Sequence, residues 1–171
     1  GVGIGVCIKS PDNQLTVSKN LQGKKETLNE VIGDTPTIIM FYRGGWWGYC
    51  QRQLSAMQEA YSTFTSMGFQ LIGVSPDQFS LSDIFAAEED LNYPLYSDSD
   101  VALIEAFGLG WKIPDEKIDK YKNSKNEMLK SFGEEKHQTL PNPAIYVIKD
   151  GRVQYQYVNP EYSTSCYWSN Q

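Results

Sequence analysis

Histidine and cysteine, the residues most often used for metal binding and redox chemistry, are scarce in this chain of 171 residues. The three cysteines, Cys7, Cys50 and Cys166, form an odd and widely spaced set, which is not the pattern of a disulfide-stabilised fold. Such usage is typical of a reducing compartment, so we expect a cytoplasmic protein. The one histidine, His137, argues against a His-ligated metal site and a Cys–His catalytic pair. We predict neither a metal nor another cofactor.

Long apolar runs and an excess of positive charge are also absent. No stretch approaches the roughly 20 apolar residues of a membrane-spanning helix, and the start lacks a signal-peptide pattern. The net charge of −6 argues against nucleic acid or an anionic membrane surface as a partner. Because the length suits one domain with a full core, we predict a single domain over residues 1–171. A first residue of glycine rather than methionine predicts a processed or truncated start.

The stretch that carries chemistry is Phe41–Cys50, which reads F-Y-R-G-G-W-W-G-Y-C. It follows an apolar run, 37–40, and precedes a helical pattern, 51–67, so it predicts a strand-to-helix turn ending in a thiol. The unpaired N–H groups and the positive dipole at a helix start favour the thiolate form of Cys50. The alternative is a buried structural cysteine, because Cys50 lies on the same helical stripe as Leu54.

Hydrophobic periodicity and turn residues predict the other elements. Their order predicts an α/β fold on the thioredoxin plan, with helices on both faces of a central mixed sheet and the thiol at the C-terminal end of a central strand. For the insert we predict surface helices, with partner binding as the alternative. The predicted elements are two short strands within 1–20, a helix at 27–32, strands at 37–42 and 69–75, helices at 81–90 and 101–107, an extended segment at 93–98, a helical insert at about 110–138, and a hairpin of 144–148 with 153–158.

The turn also carries a family resemblance. F-Y-R-G-G-W followed by Cys50 resembles the alkyl hydroperoxide reductase / thiol-specific antioxidant family, and in particular its peroxiredoxin-like members with F-Y-R-G-x-W-C-P-Y-C. The resemblance covers about residues 9–162. Further matching segments are K-S-P-D at 9–12, V-S-P-D at 74–77, Y-S-D-S-D at 96–100, A-F-G-L at 106–109, L-P-N-P-A-I-Y-V-I at 140–148 and N-P-E-Y at 159–162.

The resemblance implies a thiol peroxidase in which Cys50 becomes a sulfenic acid and a thioredoxin- or glutathione-like thiol reduces it. Arg43 would lower the pKa of the thiol and polarise the peroxide, and the N–H groups of Tyr49 and Cys50 would bind the leaving oxygen. Pro143 would be the cis-proline beside the turn, with an ordinary strand-start proline as the alternative. The remaining pocket residues that the resemblance implies are Tyr42, Trp46, Trp47, Gly48 and Tyr49.

The chain departs from that pattern at several positions. Trp47 stands where the subgroup keeps the first cysteine of C-P-Y-C, and Gly48 stands at its proline, so no C-x-x-C pair can form. The bulk of Trp47 could block the mouth of the pocket. A second arginine is expected near Pro143, yet the late Arg152 lies in a predicted hairpin turn. The candidates for reducing the sulfenic acid are Cys166, Cys7 and an external thiol.

Two other functions stay open beside the peroxidase. The first is a binding or regulatory module that has lost its chemistry, with an aromatic recognition surface made of Phe41, Tyr42, Trp46, Trp47 and Tyr49. The second is a monothiol–disulfide oxidoreductase that uses Cys50 alone. The oligomeric state also stays open, with a homodimer as one candidate.

Overall fold

A computed structural model of the chain describes residues 4–7, 16–18, 24–122 and 137–159. None of the helices in these ranges is both long and apolar enough to cross a membrane. The described strands are β1 (Ile4–Cys7), β2 (Thr16–Ser18), β3 (Lys25–Thr27), β4 (Thr37–Phe41), β5 (Gln70–Ser75), β6 (Leu95–Ser97), β7 (Gly110–Lys112), β8 (Thr139–Pro141), β9 (Ala144–Lys149) and β10 (Arg152–Val158). The described helices are α1 (Leu28–Ile32), α2 (Gly48–Glu59), α3 (Tyr61–Ser66), α4 (Phe79–Glu88), α5 (Ala102–Ala106) and α6 (Asp115–Lys122).

Eight strands form one mixed sheet in the order β1-β10-β9-β4-β5-β6-β2-β3. The strands expected at 37–42 and 69–75 are confirmed as β4 and β5, which lie parallel to each other. On its other side β4 pairs antiparallel with β9, so that Phe41 lies opposite Ala144. The predicted hairpin is also confirmed, since Asp150 and Gly151 both adopt positive φ, at 55° and 73°, as the tight Asp-Gly turn requires.

The central strand β4 separates two apolar layers, because successive side chains of a strand point to opposite faces. Phe41 packs in one layer, with α1 and α5. Tyr42, just past the strand, packs in the other, together with Cys50 and Leu54 of α2 and Phe85 of α4. The helix that follows the turn is therefore fixed on the sheet by its buried stripe, and Cys50 is part of that stripe.

Several predicted boundaries are wrong. The single helix expected at 51–67 is two helices, interrupted at Ala60, and the helix expected from Leu81 begins at Phe79. The insert contains the strand β7 before the helix α6, while residues 123–136 lie outside the described part. By contrast, the helix expected at 27–32 is confirmed as α1, which begins with a capping box formed by Thr27 and Glu30.

Candidate active site

The turn between β4 and α2 places the thiol as the sequence predicts. Trp47 is the N-terminal cap residue of α2 in an extended conformation, with φ −104° and ψ 119°, and its side chain makes no capping hydrogen bond. Cys50 follows in the first turn as a free thiol. Its exposed fraction is 0%, so the sulfur is covered on all sides.

The surroundings of the sulfur do not favour the thiolate. The backbone N–H of Arg43 donates to Cys50 Sγ at 3.4 Å. The pKa of the thiol is raised to about 11, mainly by burial and to a smaller extent by the nearby carboxylate of Asp77. The N–H groups of Arg43 and Gly44 and the Arg43 guanidinium act in the opposite direction but do not offset the burial. The expectation that the helix start would make Cys50 a thiolate is therefore wrong for this structure, because desolvation of the thiol outweighs the N–H donors and the Arg43 charge. The N–H donors at the sulfur, those of Arg43 and Gly44, precede the helix. That the N–H groups of Tyr49 and Cys50 bind the leaving oxygen stays a prediction.

Arg43 is held between two tryptophans. Its exposed fraction is 9%, and its Nε donates to the carbonyl oxygen of Pro141 at 3.3 Å. The guanidinium carbon lies 4.9 Å from the ring centroid of Trp47 and 5.4 Å from that of Trp111, which is cation–π distance. The Lys117 ammonium lies 5.2 Å from the centroid of Trp111. Trp47 thus contacts the buried cation. That its bulk blocks the mouth of the pocket stays a prediction.

A carboxylate and an amide fix the loop before α2. Asp77 is 3% exposed, and its Oδ2 accepts a hydrogen bond from the Gly45 N–H at 2.9 Å. The Gln51 side-chain Nε2 donates to the Gly45 carbonyl at 2.6 Å. Glycine is required here, because a Cβ at Gly45 would lie 2.7 Å from the Phe85 ring. The sequence reasoning gave Asp77 no role; the available signal was its place directly after the buried strand β5.

A cleft of about 380 Å³ opens between this loop and α4. Neither Cys50 nor Arg43 lines it. Among the predicted pocket residues, Trp46 does. The lining residues are Gly45, Trp46, Gln51, Asp77, Leu81, Ile84, Phe85, Glu88 and Glu89.

The other predicted pocket residues support the turn. The Tyr49 hydroxyl accepts hydrogen bonds from Gln53 Nε2 at 2.9 Å and from the Asn159 side chain. The Asn159 N–H donates to the Pro143 carbonyl at 2.8 Å, which links Tyr49 to the segment before β9. The peptide bond before Pro143 is trans, as are all those described, so the cis expectation is wrong. Gly48, the first residue of α2, is exposed.

Tyr42 lies beneath the turn rather than in an open pocket, since it is 0% exposed. Burial raises the pKa of its hydroxyl, opposed by the nearby Ser75 and Ser82. Phe41 is equally buried and contacts the rings of Phe107 and Tyr146 on the opposite face of the sheet. The proposed aromatic recognition surface is therefore wrong for Phe41 and Tyr42.

Among the residues that the structure describes, no candidate for a second thiol or a second arginine lies at the turn. The candidates from the sequence were Cys7, Cys166 and Arg152. Cys166 lies outside the described residues. Cys7 pairs with Arg152 in the sheet, at the end opposite the Phe41–Ala144 pair. Five strand residues separate these ends, or roughly 17 Å. No group of three metal-ligating side chains occurs among the described residues.

A mixed sheet with a thiol at the start of the helix after its central strand defines the thioredoxin-like class of fold, as predicted. Within that class the chain belongs to the AhpC/TSA family, whose pattern matches residues 8–156. The peroxiredoxin-like resemblance of the turn is thereby confirmed.

Individual relatives agree with this assignment. The chain is 30% identical over 142 residues to "Peroxiredoxin Q, chloroplastic" of Gentiana triflora, covering 82% of this chain and 54% of that protein. The chain thus spans about half the length of the curated relatives it matches. Its fold is similar to Peroxidoxin BcpB from Mycobacterium tuberculosis, with TM-score 0.67, 17% identity and coverage of 91% and 87% of the two chains. It is also similar to reduced Prx3 in complex with H₂O₂ from Vibrio vulnificus, with TM-score 0.69, 14% identity and coverage of 88% and 85%.

Proposed function

We propose that the chain is a thiol-dependent peroxidase that reduces hydrogen peroxide or organic hydroperoxides through Cys50. The observation that carries the proposal is the arrangement at the sulfur. The Arg43 N–H lies 3.4 Å from Cys50 Sγ, the Gly44 N–H also interacts with it, and the Arg43 guanidinium acts on the same atom. Membership of the AhpC/TSA family supports the same chemistry.

In the proposed reaction the Cys50 thiolate attacks one peroxide oxygen. The S–O bond forms as the O–O bond breaks, which gives Cys50 sulfenic acid and an alkoxide or hydroxide that takes up a proton. The Arg43 guanidinium and the N–H groups of Arg43 and Gly44 would stabilise the negative charge that moves from sulfur to the leaving oxygen. Two reducing thiols then restore Cys50, with release of one water and one disulfide.

The proposed pocket surrounds that reaction. We assign Trp47 the task of holding Arg43, and Tyr49 that of tying the helix start to the Pro143 segment. Their contacts support this assignment: Trp47 lies 4.9 Å from the guanidinium, and Tyr49 bonds to Asn159. Of the other pocket residues predicted from the sequence, Gly48 is exposed at the helix start and Trp46 lines the neighbouring cleft, whereas Tyr42 is buried beneath the turn.

The reducing partner is proposed to be external. Cys7 lies at the far end of the sheet by its strand register, and Cys166 stays a candidate. A thioredoxin-like and a glutathione-like thiol are both open, as is a homodimer. The cytoplasmic location remains a prediction, since several plant relatives are named as chloroplastic proteins.

Peroxide consumption at fixed thiol concentration tests the proposal. We compare the wild-type chain, the Cys50→Ser variant and a matched control in which Cys7→Ser and Cys166→Ser are combined. We expect the control to retain most of the activity and Cys50→Ser to lose it. Equal, near-background rates for the wild type and Cys50→Ser would refute a peroxidase.

One observation favours a second candidate, a binding module without chemistry. Burial raises the pKa of Cys50 to about 11, which leaves little thiolate at neutral pH. If this candidate is correct, Cys50→Ser will leave partner binding unchanged, and peroxide will not produce a sulfenic acid that a diketone reagent can trap.

A further inference from the structure

We propose that the cleft between the loop at Gly45 and helix α4 binds the reducing thiol through a positively charged group, so that the reductant is a small aminothiol. This inference rests on the proposed peroxidase function. It concerns a cleft that neither Cys50 nor Arg43 lines, but whose lining residue Phe85 belongs to the same buried cluster as Cys50.

The charge of the surrounding chain is one-sided. Residues 53–111 contain nine acidic residues and no lysine, arginine or histidine. All 15 lysines and arginines of the chain therefore lie outside this segment. Three of these acids, Asp77, Glu88 and Glu89, line the cleft. Among the residues that the structure describes, no basic side chain pairs with Glu88 or Glu89, which are both exposed. The cleft therefore attracts cations and repels anionic thiols.

The rest of the wall suits a short carbon chain. Leu81, Ile84 and Phe85 lie on one face of α4, three and four residues apart. Ile84 is 55% exposed although it is apolar, and Trp46 lies on the other side of the cleft. A volume of about 380 Å³ is of the size that takes a small molecule.

The position of the cleft favours a reductant over the peroxide. Its lining includes Gly45, Gln51 and Asp77, and both Gln51 and Asp77 hydrogen-bond to Gly45. Gly45 directly follows Gly44, whose N–H acts on the sulfur. A hydroperoxide is neutral at physiological pH and gains nothing from an acidic rim. A thiol with an ammonium group gains attraction to the rim, and its own cation raises its thiolate fraction.

The reaction at this site balances with two aminothiols. The first attacks the sulfur of Cys50 sulfenic acid, so that a mixed disulfide forms and the hydroxyl leaves as water. The second attacks the mixed disulfide, which releases the Cys50 thiol and a disulfide of two aminothiols.

The first experiment measures how fast cysteamine, 2-mercaptoethanol and 3-mercaptopropionate reduce Cys50 sulfenic acid, formed beforehand with hydrogen peroxide. We compare the wild type, a double variant with Glu88→Gln and Glu89→Gln, and a control, Glu59→Gln, at the far end of α2. A unit charge at 4 Å in water changes a rate by about fivefold. We expect the ratio of the cysteamine rate to the 2-mercaptoethanol rate to fall by up to roughly 25-fold in the double variant and to stay unchanged in the control. The 3-mercaptopropionate rate should rise in the double variant, and high salt should weaken both effects. An equal ratio in wild type and double variant would overturn the inference.

A second experiment separates failure of this site from failure of the peroxidase. Cys50→Ser protein is titrated with 2-(methylthio)ethylamine and with 3-(methylthio)propanoate, thioethers that cannot exchange with thiols, while amide chemical shifts are followed. Shifts at Gly45, Gln51 and Ile84 with the amine alone, lost on Glu88→Gln with Glu89→Gln, support the cleft even if no sulfenic acid forms. The absence of such shifts overturns it even if the chain reduces peroxide.

Discussion

The sharpest test concerns the ionisation of Cys50. Burial raises the pKa of its thiol to about 11, against about 8.5 for a free cysteine. Near pH 7 about one Cys50 in 10⁴ is therefore ionised, compared with about 3% of a free thiol. In a chain with Cys7→Ser and Cys166→Ser, we expect iodoacetamide to alkylate Cys50 about 300-fold more slowly than a free cysteine from ionisation alone.

The shape of the pH profile does not depend on which conformer reacts. The buried, protonated thiol is the dominant species. The thiolate population of any minor form with an exposed Cys50 therefore rises about tenfold per pH unit, until the buried thiol itself ionises. We therefore expect the alkylation rate of Cys50 to rise up to about pH 11. Circular dichroism checks that the chain stays folded. A plateau below about pH 9 would refute the reasoning, because free-thiol behaviour would then describe the folded state.

Two substitutions are expected to move the midpoint of the alkylation–pH profile of Cys50 in opposite directions. Asp77→Asn removes a charge that raises the pKa of Cys50, yet its amide oxygen can still accept from Gly45. Arg43→Gln removes a charge that lowers it. We expect the midpoint to fall in the first variant and to rise in the second. An unchanged midpoint in both would leave burial as the sole cause.

Three further predictions concern the surroundings of the site. Gly48→Pro should stabilise the fold by about 0.4–1 kcal/mol in urea unfolding, because proline suits the first helical position and Trp47 already has the extended conformation that precedes it. Trp111→Ala should lower kcat/KM for peroxide by roughly 2- to 30-fold, since it removes one of two rings on Arg43. Burial raises the pKa of Asp98 to about 7, above the unfolded value of about 3.9. Its contribution to stability is therefore present below about pH 3.9 and lost as the pH rises through about 7, by at most about 1.4 kcal/mol per pH unit.

Matched variants control these predictions. Gly48→Ala also adds a Cβ, which would lie 3.8 Å from Arg52 Nη1, an ordinary van der Waals contact. A Gly48→Pro variant that is less stable than Gly48→Ala would contradict the first prediction. Trp111→Phe keeps an aromatic face toward Arg43. It should therefore retain most of the kcat/KM that Trp111→Ala loses, and the midpoint of the alkylation–pH profile of Cys50 should stay close to that of the wild type. Asp98→Asn should flatten the pH dependence of stability, and an equally steep curve in that variant would exclude Asp98 as its source.

Local features of the fold could be predicted from the sequence because their causes lie within a few residues. The Thr27–Glu30 capping box and the Asp150–Gly151 turn depend on neighbouring side chains and backbone angles alone. The turn before Cys50 was also predictable, since an apolar run and a helical stripe flank it. The single domain over 1–171 remains a prediction.

The charge environment of Cys50 could not be predicted in the same way, because it depends on contacts between residues that are far apart in the sequence. Trp111 reaches Arg43 from a strand 68 positions along the chain, and Asp77 reaches Gly45 across 32 positions. The helix-start effect on Cys50 is local and was anticipated, whereas its desolvation comes from tertiary packing. Burial, which the sequence does not reveal, has the larger effect on the pKa of Cys50.

The position of Arg43 explains why one arginine does not offset that desolvation. Its Nε donates to the Pro141 carbonyl, and its charge interacts with two tryptophan rings as well as with the sulfur. Arg52 and Arg152, the other arginines of the chain, are both exposed. The guanidinium is thus shared among three kinds of partner, and no second one supplements it at the sulfur.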